Sequence, residues 1–440
     1  MVNQNSRQGP QHRRWVAVAT LAASVLLLTA CASSSGSSST AKAAGTNITF
    51  MEAMSSGKLK TTIDSLVSQF EKSHPGLTVT LIPQPSYGVL AQKEQASVAA
   101  GNAPTIGQAY ENWAASYAAS NAIVPLDSYV NGTDGISATQ QASIWPNVLA
   151  DLRLPDGKMW MWPFNKSDYV MYYNSAMMSS KHQSVPTTWA QWASTAKAVT
   201  HGGQWGVSMD PGTAAFPSNG TYLFQAMIQG YGGAVVTNGK PSLNTPAAAQ
   251  ALSLLVSMEK AGALKVGTNY PGQTALGAGK SLFDMSTVAS YYYNEQAVGN
   301  KFPMGVAAFP AGPVAPGNVM QGTNIVMFAG ASPAQRTAAW TFMKWLTEPT
   351  QAAFWAEGTG YLPISKDALA LMSSYITTHP YVTIASQSLA TATSTPPYSW
   401  FTQEAGAMST ALQSVLIGHS SVTAALTKAQ ATALAAANGG

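Results

Sequence analysis

The sequence predicts an α/β protein whose mainly parallel sheet is covered by helices on both faces, and three observations carry this. From Asn47 onward, short β-forming runs alternate with helical periodicity, the pattern of strand–helix–strand units. The chain has 440 residues, enough for two or three domains with substantial cores. The stretch Gly157 to Trp189 (GKMWMWPFNKSDYVMYYNSAMMSSKHQSVPTTW) then reads as strand, polar break, strand and helix start. That is the form of a chain passing from one lobe to another.

The elements follow in order. Asn47–Phe50 is a short first strand. Lys58 to His74 places Leu59, Ile63, Leu66, Val67 and Phe70 at spacings of three and four, an amphipathic helix ended by Pro75-Gly76. Leu77–Ile82 is a second strand, Ala91–Ala100 a second helix, and Ala103–Tyr110 a third strand running into Glu111. Pro163 stops the aromatic run Trp160-Met161-Trp162, and Trp160 and Trp162 are expected to pack beneath the surface. Tyr169–Tyr173 is rich in β-formers, and Thr187 or Thr188 caps a helix from Trp189 to Thr200. Thr245-Pro246 opens another helix with Leu252, Leu255 and Val256 inward. Ser332-Pro333 opens one whose Trp340, Phe342, Met343 and Trp345 are core, and Val422–Ala437 is an Ala-rich last helix.

Composition bounds the chemistry. The hydrophobic share is 46% but the charged share only 9%, against about 25% in ordinary globular proteins. The polar surface is therefore built from Ser, Thr, Asn and Gln, and one reading is adaptation to an acidic exterior, where carboxylates stop contributing charge. Arg13-Arg14 and the apolar Trp15–Ala30, too short for a comfortable transmembrane span, read as an export signal over residues 1–30. Leu28-Thr29-Ala30-Cys31 has the form of a lipobox, and Cys31 is the single cysteine. Lipidation there would anchor the protein to the outer face of the cell membrane through several acyl chains. The alternative is a general signal peptide with an incidental cysteine, and Arg13-Arg14-Trp15 also permits twin-arginine export. Residues 31–45, Ser/Ala/Gly-rich, read as a flexible tether. Three of the 22 basic residues (Arg7, Arg13, Arg14) and none of the 18 acidic ones precede the cleavage site, so the mature chain is close to neutral. Nucleic-acid binding, which needs a basic face, is not indicated. No disulfide is available to the mature chain.

In open α/β sheets, ligands bind beyond the carboxyl ends of the strands. Glu111 falls at such an end, and Tyr87 lies in the Pro-rich loop after the second strand, on the same rim; an acid there also serves as a helix cap or surface group. Gly277–Ser281 (GAGKS) lacks the first glycine of a phosphate loop, since Thr274 stands there, and reads as a turn before the strand Leu282–Met285. The histidines show no metal-ligand spacing, and no G-x-S-x-G elbow is present. A secreted glycosidase needs two carboxylates about one bond. Glu52, Glu111, Asp151 and Asp156 are available, but nothing in the sequence sets two of them together. A surface adhesin is a third class.

Several motifs carry a resemblance. Pro163–Ser167 (PFNKS), Tyr172–Asn174 (YYN), Pro186–Trp189 (PTTW), Ser68–Pro75 (SQFEKSHP), Gly101–Pro104 (GNAP), Tyr110-Glu111, Gln321–Asn324 (QGTN) and Gly358–Ile364 (GTGYLPI) resemble the extracellular solute-binding proteins of bacterial ABC importers. The match is to the first carbohydrate-uptake family, and within it to the glycerol-3-phosphate/glycerophosphodiester branch. It spans nearly all of residues 46–440. The resemblance implies a two-lobed periplasmic-binding-protein fold of type II, with interlobe crossings near Phe164–Ser167, Val319–Gly322 and Tyr361–Pro363. Lobe 1 would be residues 46–164 plus 322–360, and lobe 2 residues 165–321 plus 361–440. It further implies a monomer without cofactor or catalytic activity, which delivers a small ligand to the permease subunits of an importer.

By the same resemblance Tyr87, Glu111, Ser167 and Tyr361 hydrogen-bond ligand hydroxyls, Thr287 offers a small hydroxyl contact, and Gly322 lets ligand approach the backbone. Trp189 stacks on the ligand, as suits either a sugar face or a quaternary ammonium. One departure concerns phosphate. The branch pairs it with a C-terminal arginine, and Ala405 stands at that place here. The remaining arginine beyond Arg153 is Arg336, inside a helix, so a phosphate would need a lysine such as Lys166, backbone amides or a helix N-terminus instead. The expectation is therefore an uncharged sugar, oligosaccharide or polyol, with glycerol-3-phosphate or a glycerophosphodiester as the alternative.

Overall fold

The computed structural model describes residues 46–439. The export signal, Cys31 and the tether lie outside the described residues. The first strand, β1 (Thr46–Glu52), leads into helix α1 (Gly57–Ser73), which buries Thr62, Ile63, Leu66, Val67 and Phe70 as the spacing predicted. Strand β2 (Leu77–Pro83) follows, then α2 (Tyr87–Ala99), β3 (Ile106–Ala109) and α3 (Glu111–Ala119). Helix α2 begins four residues before the predicted start. The Ser86 side chain accepts from the Val89 amide (3.3 Å) and caps it, so Tyr87 is the first residue of a helix and not part of a loop.

The later strands are β4 (Trp162–Pro163), β5 (Ser167–Asn174), β6 (Trp205–Met209), the small hairpin β7 (Val236–Thr237) and β8 (Lys240–Pro241), then β9 (Leu264–Val266), β10 (Ser281–Thr287), β11 (Met304–Ala308), β12 (Met320–Gln321) and β13 (Asn324–Met327). Among the described residues they form one sheet in the order β2-β1-β3-β13-β4 and a second in the order β11-β5-β10-β6-β9, with β12 paired to β5. Only part of each sheet is parallel. β1 runs with β2 and β3, and β6 with β9 and β10, while β13, β4 and β5 are antiparallel to their neighbours. The reason is geometric. A strand that enters a sheet from the crossing must start at the edge where the others end.

Two buried apolar clusters cover these sheets. The first contains Phe50, Phe70, Trp160, Trp162, Phe164, Trp340, Phe342 and Trp345, and the second Trp189, Trp192, Phe224, Leu252, Leu255 and Phe283. The Thr188 and Thr245 side chains cap the helices Trp189–Val199 and Pro246–Lys260, and Ser332 with Gln335 forms a reciprocal cap on Pro333–Leu346. Residues 364–392 bury their apolar side chains in the first cluster, and the helices Phe401–Leu416 and Val422–Gly439 in the second. Among the described residues no helix is long and apolar enough to cross a membrane.

The low charge of the surface has a counterpart inside. Glu52, Glu94, Asp168, Asp284 and Glu404 are buried, and none takes part in an ion pair among the described residues. Both carboxyl oxygens of Asp168 and of Glu404 lack hydrogen-bond partners. Burial pushes all five upward, Glu404 to about 8. Unfolding lets such groups return to the ordinary carboxyl range near 4. The folded chain thus holds protons that the unfolded chain releases, and these groups cost stability as pH rises from that range through their folded values. The thermal midpoint is expected to be higher at about pH 5 than at about pH 8. Glu404→Gln should flatten the trend by raising stability on the alkaline side by a few kcal/mol. Scanning calorimetry across this range checks both, and a midpoint that climbs toward alkaline pH would refute them.

Candidate functional site

The parallel strands β1, β2 and β3 end at one edge of the first sheet, where Tyr87 opens α2 and Glu111 opens α3. Antiparallel pairing brings Asn324, the first residue of β13, and Pro163, the last of β4, to the same edge. In the second sheet β6, β9, β10 and β11 end where β5 begins, so Ser167 and Thr287 share an edge. β4 and β5 are joined through Phe164, Asn165 and Lys166, and β12 and β13 through Gly322 and Thr323. Such short links hold the two edges face to face across a cleft. The third crossing is tied alongside, with the Leu362 amide donating to the Lys166 carbonyl at 2.7 Å.

A buried charge cluster stands at this junction. Lys166 Nζ lies 2.5 Å from Asp151 Oδ2 and 3.1 Å from Glu111 Oε1. Asn324 Nδ2 donates to the same two oxygens, at 2.8 and 3.1 Å. Glu111 is pushed well up by burial and by Asp151, against the pull of Lys166. Burial opposes the charge of Asp151 as well, but Lys166, Glu111 and Asn324 outweigh it and hold Asp151 below the usual range. Burial likewise disfavours the Lys166 ammonium, and the two carboxyls overcome it. The arrangement is an ammonium–carboxylate pair, Lys166 with Asp151, beside Glu111, whose carboxyl burial and the Asp151 charge push well up. So the structure does set two of the four candidate carboxyls together. They converge on one buried ammonium, however, and leave no gap for a glycosidic bond.

A neutral network lies next to it. Asn165 Nδ2 donates to Tyr87 Oη (2.7 Å), whose hydroxyl meets that of Tyr361 at 3.1 Å. Gln108 donates to Thr323 Oγ1 (2.8 Å), and the Thr323 amide and hydroxyl donate to Asn165 Oδ1 at 3.0 and 2.6 Å. Gly322 has φ +93°, and a Cβ there would fall on the Asn165 carbonyl oxygen. The close approach that requires glycine is thus between two crossings, not the expected approach of ligand to backbone.

Ser167 is buried at the start of β5, and Thr287 is half-buried at the end of β10, its carbonyl accepting from Tyr172 Oη at 3.0 Å. Trp189 departs from expectation. It opens its helix at the cleft edge, but its indole is 1% exposed, edge-on to Phe309 (5.0 Å) and Trp192 (5.6 Å). A Cβ at Gly230 would stand 2.9 Å from Trp189 Nε1, so that glycine makes room for the ring, which has become part of the second core. Lys166 is engaged by its carboxyls and is not free for a phosphate. Ala405 is buried in the second cluster, and Arg336 donates to the Ala329 carbonyl. The two rims touch, with Asn112 Nδ2 donating to Thr402 Oγ1 at 2.7 Å. Tyr222 is pushed up to about 12 by burial and by Glu111, which stands on the opposite rim.

Residues 65–383 match the model of the bacterial extracellular solute-binding protein family. The chain belongs to this family. It is 26% identical over 344 residues to the sn-glycerol-3-phosphate-binding periplasmic protein UgpB of Pectobacterium atrosepticum, covering 74% of this chain and 75% of that one. Its fold matches UgpB of Mycobacterium tuberculosis in complex with glycerophosphocholine (TM-score 0.79, 21% identity, 90% of this chain and 99% of that one). It also matches the GacH receptor of Streptomyces glaucescens, solved with acarbose (TM-score 0.77, 20% identity, 89% and 98%).

Sequence reasoning missed Asp151, Asn165 and Asn324 as partners because they come together only through the crossings. Tyr222 lies inside the helix Asn219–Gly230 and carried no motif. In this member of the solute-binding family, Lys166→Met should cost about 3–5 kcal/mol at neutral pH by stranding Asp151. The loss should shrink in acid, where Asp151 takes up a proton; chemical denaturation at two pH values measures the difference.

Proposed function

We propose that this solute-binding protein captures an uncharged sugar, oligosaccharide or polyol between its lobes and delivers it to the permease of an ABC importer. The observation that carries the reading is that Lys166, the cation of the first crossing, is neutralised by Asp151. The groups gathered there instead are hydroxyls, amides and the Glu111 carboxyl, a set that exchanges hydrogen bonds with hydroxyl groups. Tyr87, Glu111, Ser167, Thr287 and Tyr361 are the proposed ligand contacts. Gly322 and Trp189 act from beneath, one closing the crossings together and the other supporting the rim. Ligand bridging both edges favours their approach, which makes closure depend on occupancy.

The lobes of this proposal are 46–164 plus 322–360 and 165–321 plus 361–440, acting as a monomer held to the membrane through lipid on Cys31. The second reading, glycerol-3-phosphate or a glycerophosphodiester, is favoured by the names of the relatives, which bind glycerol-3-phosphate and glycerophosphocholine. Thermal-shift measurements on residues 46–440 separate the two. Neutral sugars or polyols should raise the midpoint, whereas a rise with glycerol-3-phosphate or glycerophosphocholine alone would select the second reading. Tyr87→Phe and Tyr361→Phe should each weaken the bound neutral ligand by about tenfold, the worth of one hydrogen bond. Unchanged titration curves would move the site elsewhere.

A further inference from the structure

Among the described residues, four aromatic side chains count as exposed, and three of them, Phe216, Tyr270 and Tyr293, are 61%, 67% and 45% exposed. Phe216 and Tyr270 lie in the loops after β6 and β9, and Tyr293 in the helix Tyr291–Val298 that follows β10. Because these strands run parallel, all three segments follow strand ends at the cleft edge of the second sheet. They are also linked. Gln273 Nε2, one turn into the helix Pro271–Gly277, donates to the Tyr293 carbonyl at 3.0 Å, and Tyr270 is the cap of that helix. Phe216 faces the other rim, its Cε1 3.3 Å from where a Cβ of Gly88 would stand. Gly88 adjoins Tyr87 of the hydroxyl network.

Tyr270 is held in an unfavourable backbone. Its φ and ψ are 57° and 52°, and Asn269 before it has φ 56°. A bulky side chain in this left-handed region is an outlier, of the kind that collects at ligand sites. Here it keeps an aromatic ring in solvent at the mouth of the cleft, where packing offers no return. Burial pushes the Tyr361 hydroxyl up, against its hydrogen bonds with Tyr87 and Asn165.

We infer that Phe216, Tyr270 and Tyr293 form a platform for a second pyranose ring, so that the ligand is an oligosaccharide whose first unit enters the cleft and whose next unit stacks at the mouth. Exposed ring faces suit the C–H face of a sugar, and stacking there needs no charge. The inference rests on the reading of the cleft as a saccharide site and adds the ligand's length.

Residues 46–440 are titrated calorimetrically with gluco-, manno- and galacto-oligosaccharides of one, two and three rings, and with glycerophosphocholine. In the series that binds, affinity should rise at least about tenfold from one ring to two, and Tyr270→Ala/Tyr293→Ala should bring that ratio close to one. Tyr270→Phe, which keeps the ring, should retain the gain. A one-ring sugar that binds as tightly as its longer homologues overturns the platform and leaves the cleft reading standing. So does a gain that survives the double variant. Binding of glycerophosphocholine alone, or of no saccharide, overturns both.

Discussion

The structure depends on one buried ammonium. Lys166 sits in the first crossing, paired with Asp151 at the end of the helix Pro146–Asp151 and facing Glu111 at the start of α3, with Asn324 of the return crossing bonded to both carboxyls. Its own carbonyl receives the third crossing through Leu362. Lys166 therefore meets the third crossing directly and the return crossing through the carboxyls it shares with Asn324. Charges removed from water are tolerated only when fully paired and hydrogen-bonded, and here four side chains from distant parts of the chain must be in place at once. The cluster specifies how the crossings are registered against each other.

The same cluster sets the chemistry of the cleft. A free lysine at this point would make the site a phosphate receptor. With Asp151 paired to it at 2.5 Å and Glu111 beside it at 3.1 Å, the positive charge is cancelled locally. The surrounding groups are neutral: Tyr87, Tyr361, Asn165, Gln108 and Thr323 share one hydrogen-bond network. Phenol and amide groups that satisfy one another at rest can exchange those bonds for ligand hydroxyls at little electrostatic cost. The missing guanidinium at Ala405 and the engaged ammonium of Lys166 thus point the same way.

The few acids of this chain are unusually placed. Glu52, Glu94, Asp168, Asp284 and Glu404 lie in the interior without cations, and at Asp168 and Glu404 without hydrogen-bond partners. Such groups are tolerable as neutral acids and costly as anions. A surface poor in charge and an interior holding carboxyls that burial pushes up both favour a mildly acidic medium, which gives the sparse composition a physical meaning that percentages alone do not.

The sequence by itself determined the local elements and the family. Periodicity and caps placed α1, the helix from Trp189, that from Pro246 and that from Ser332-Pro333, because these signals act within a few residues. The crossing motifs identified a solute-binding protein, since PFNKS, QGTN and GTGYLPI carry the contacts that hold the crossings together. Only the tertiary structure decided what those residues do. It joined Glu111 to Asp151 through Lys166, gave Gly322 to the Asn165 carbonyl, withdrew Trp189 into the core, and collected Phe216, Tyr270 and Tyr293 at one mouth. The physical reason is that burial and pairing are set by which strand ends meet. That meeting depends on the direction of strands far apart in the chain, and no window of sequence contains it.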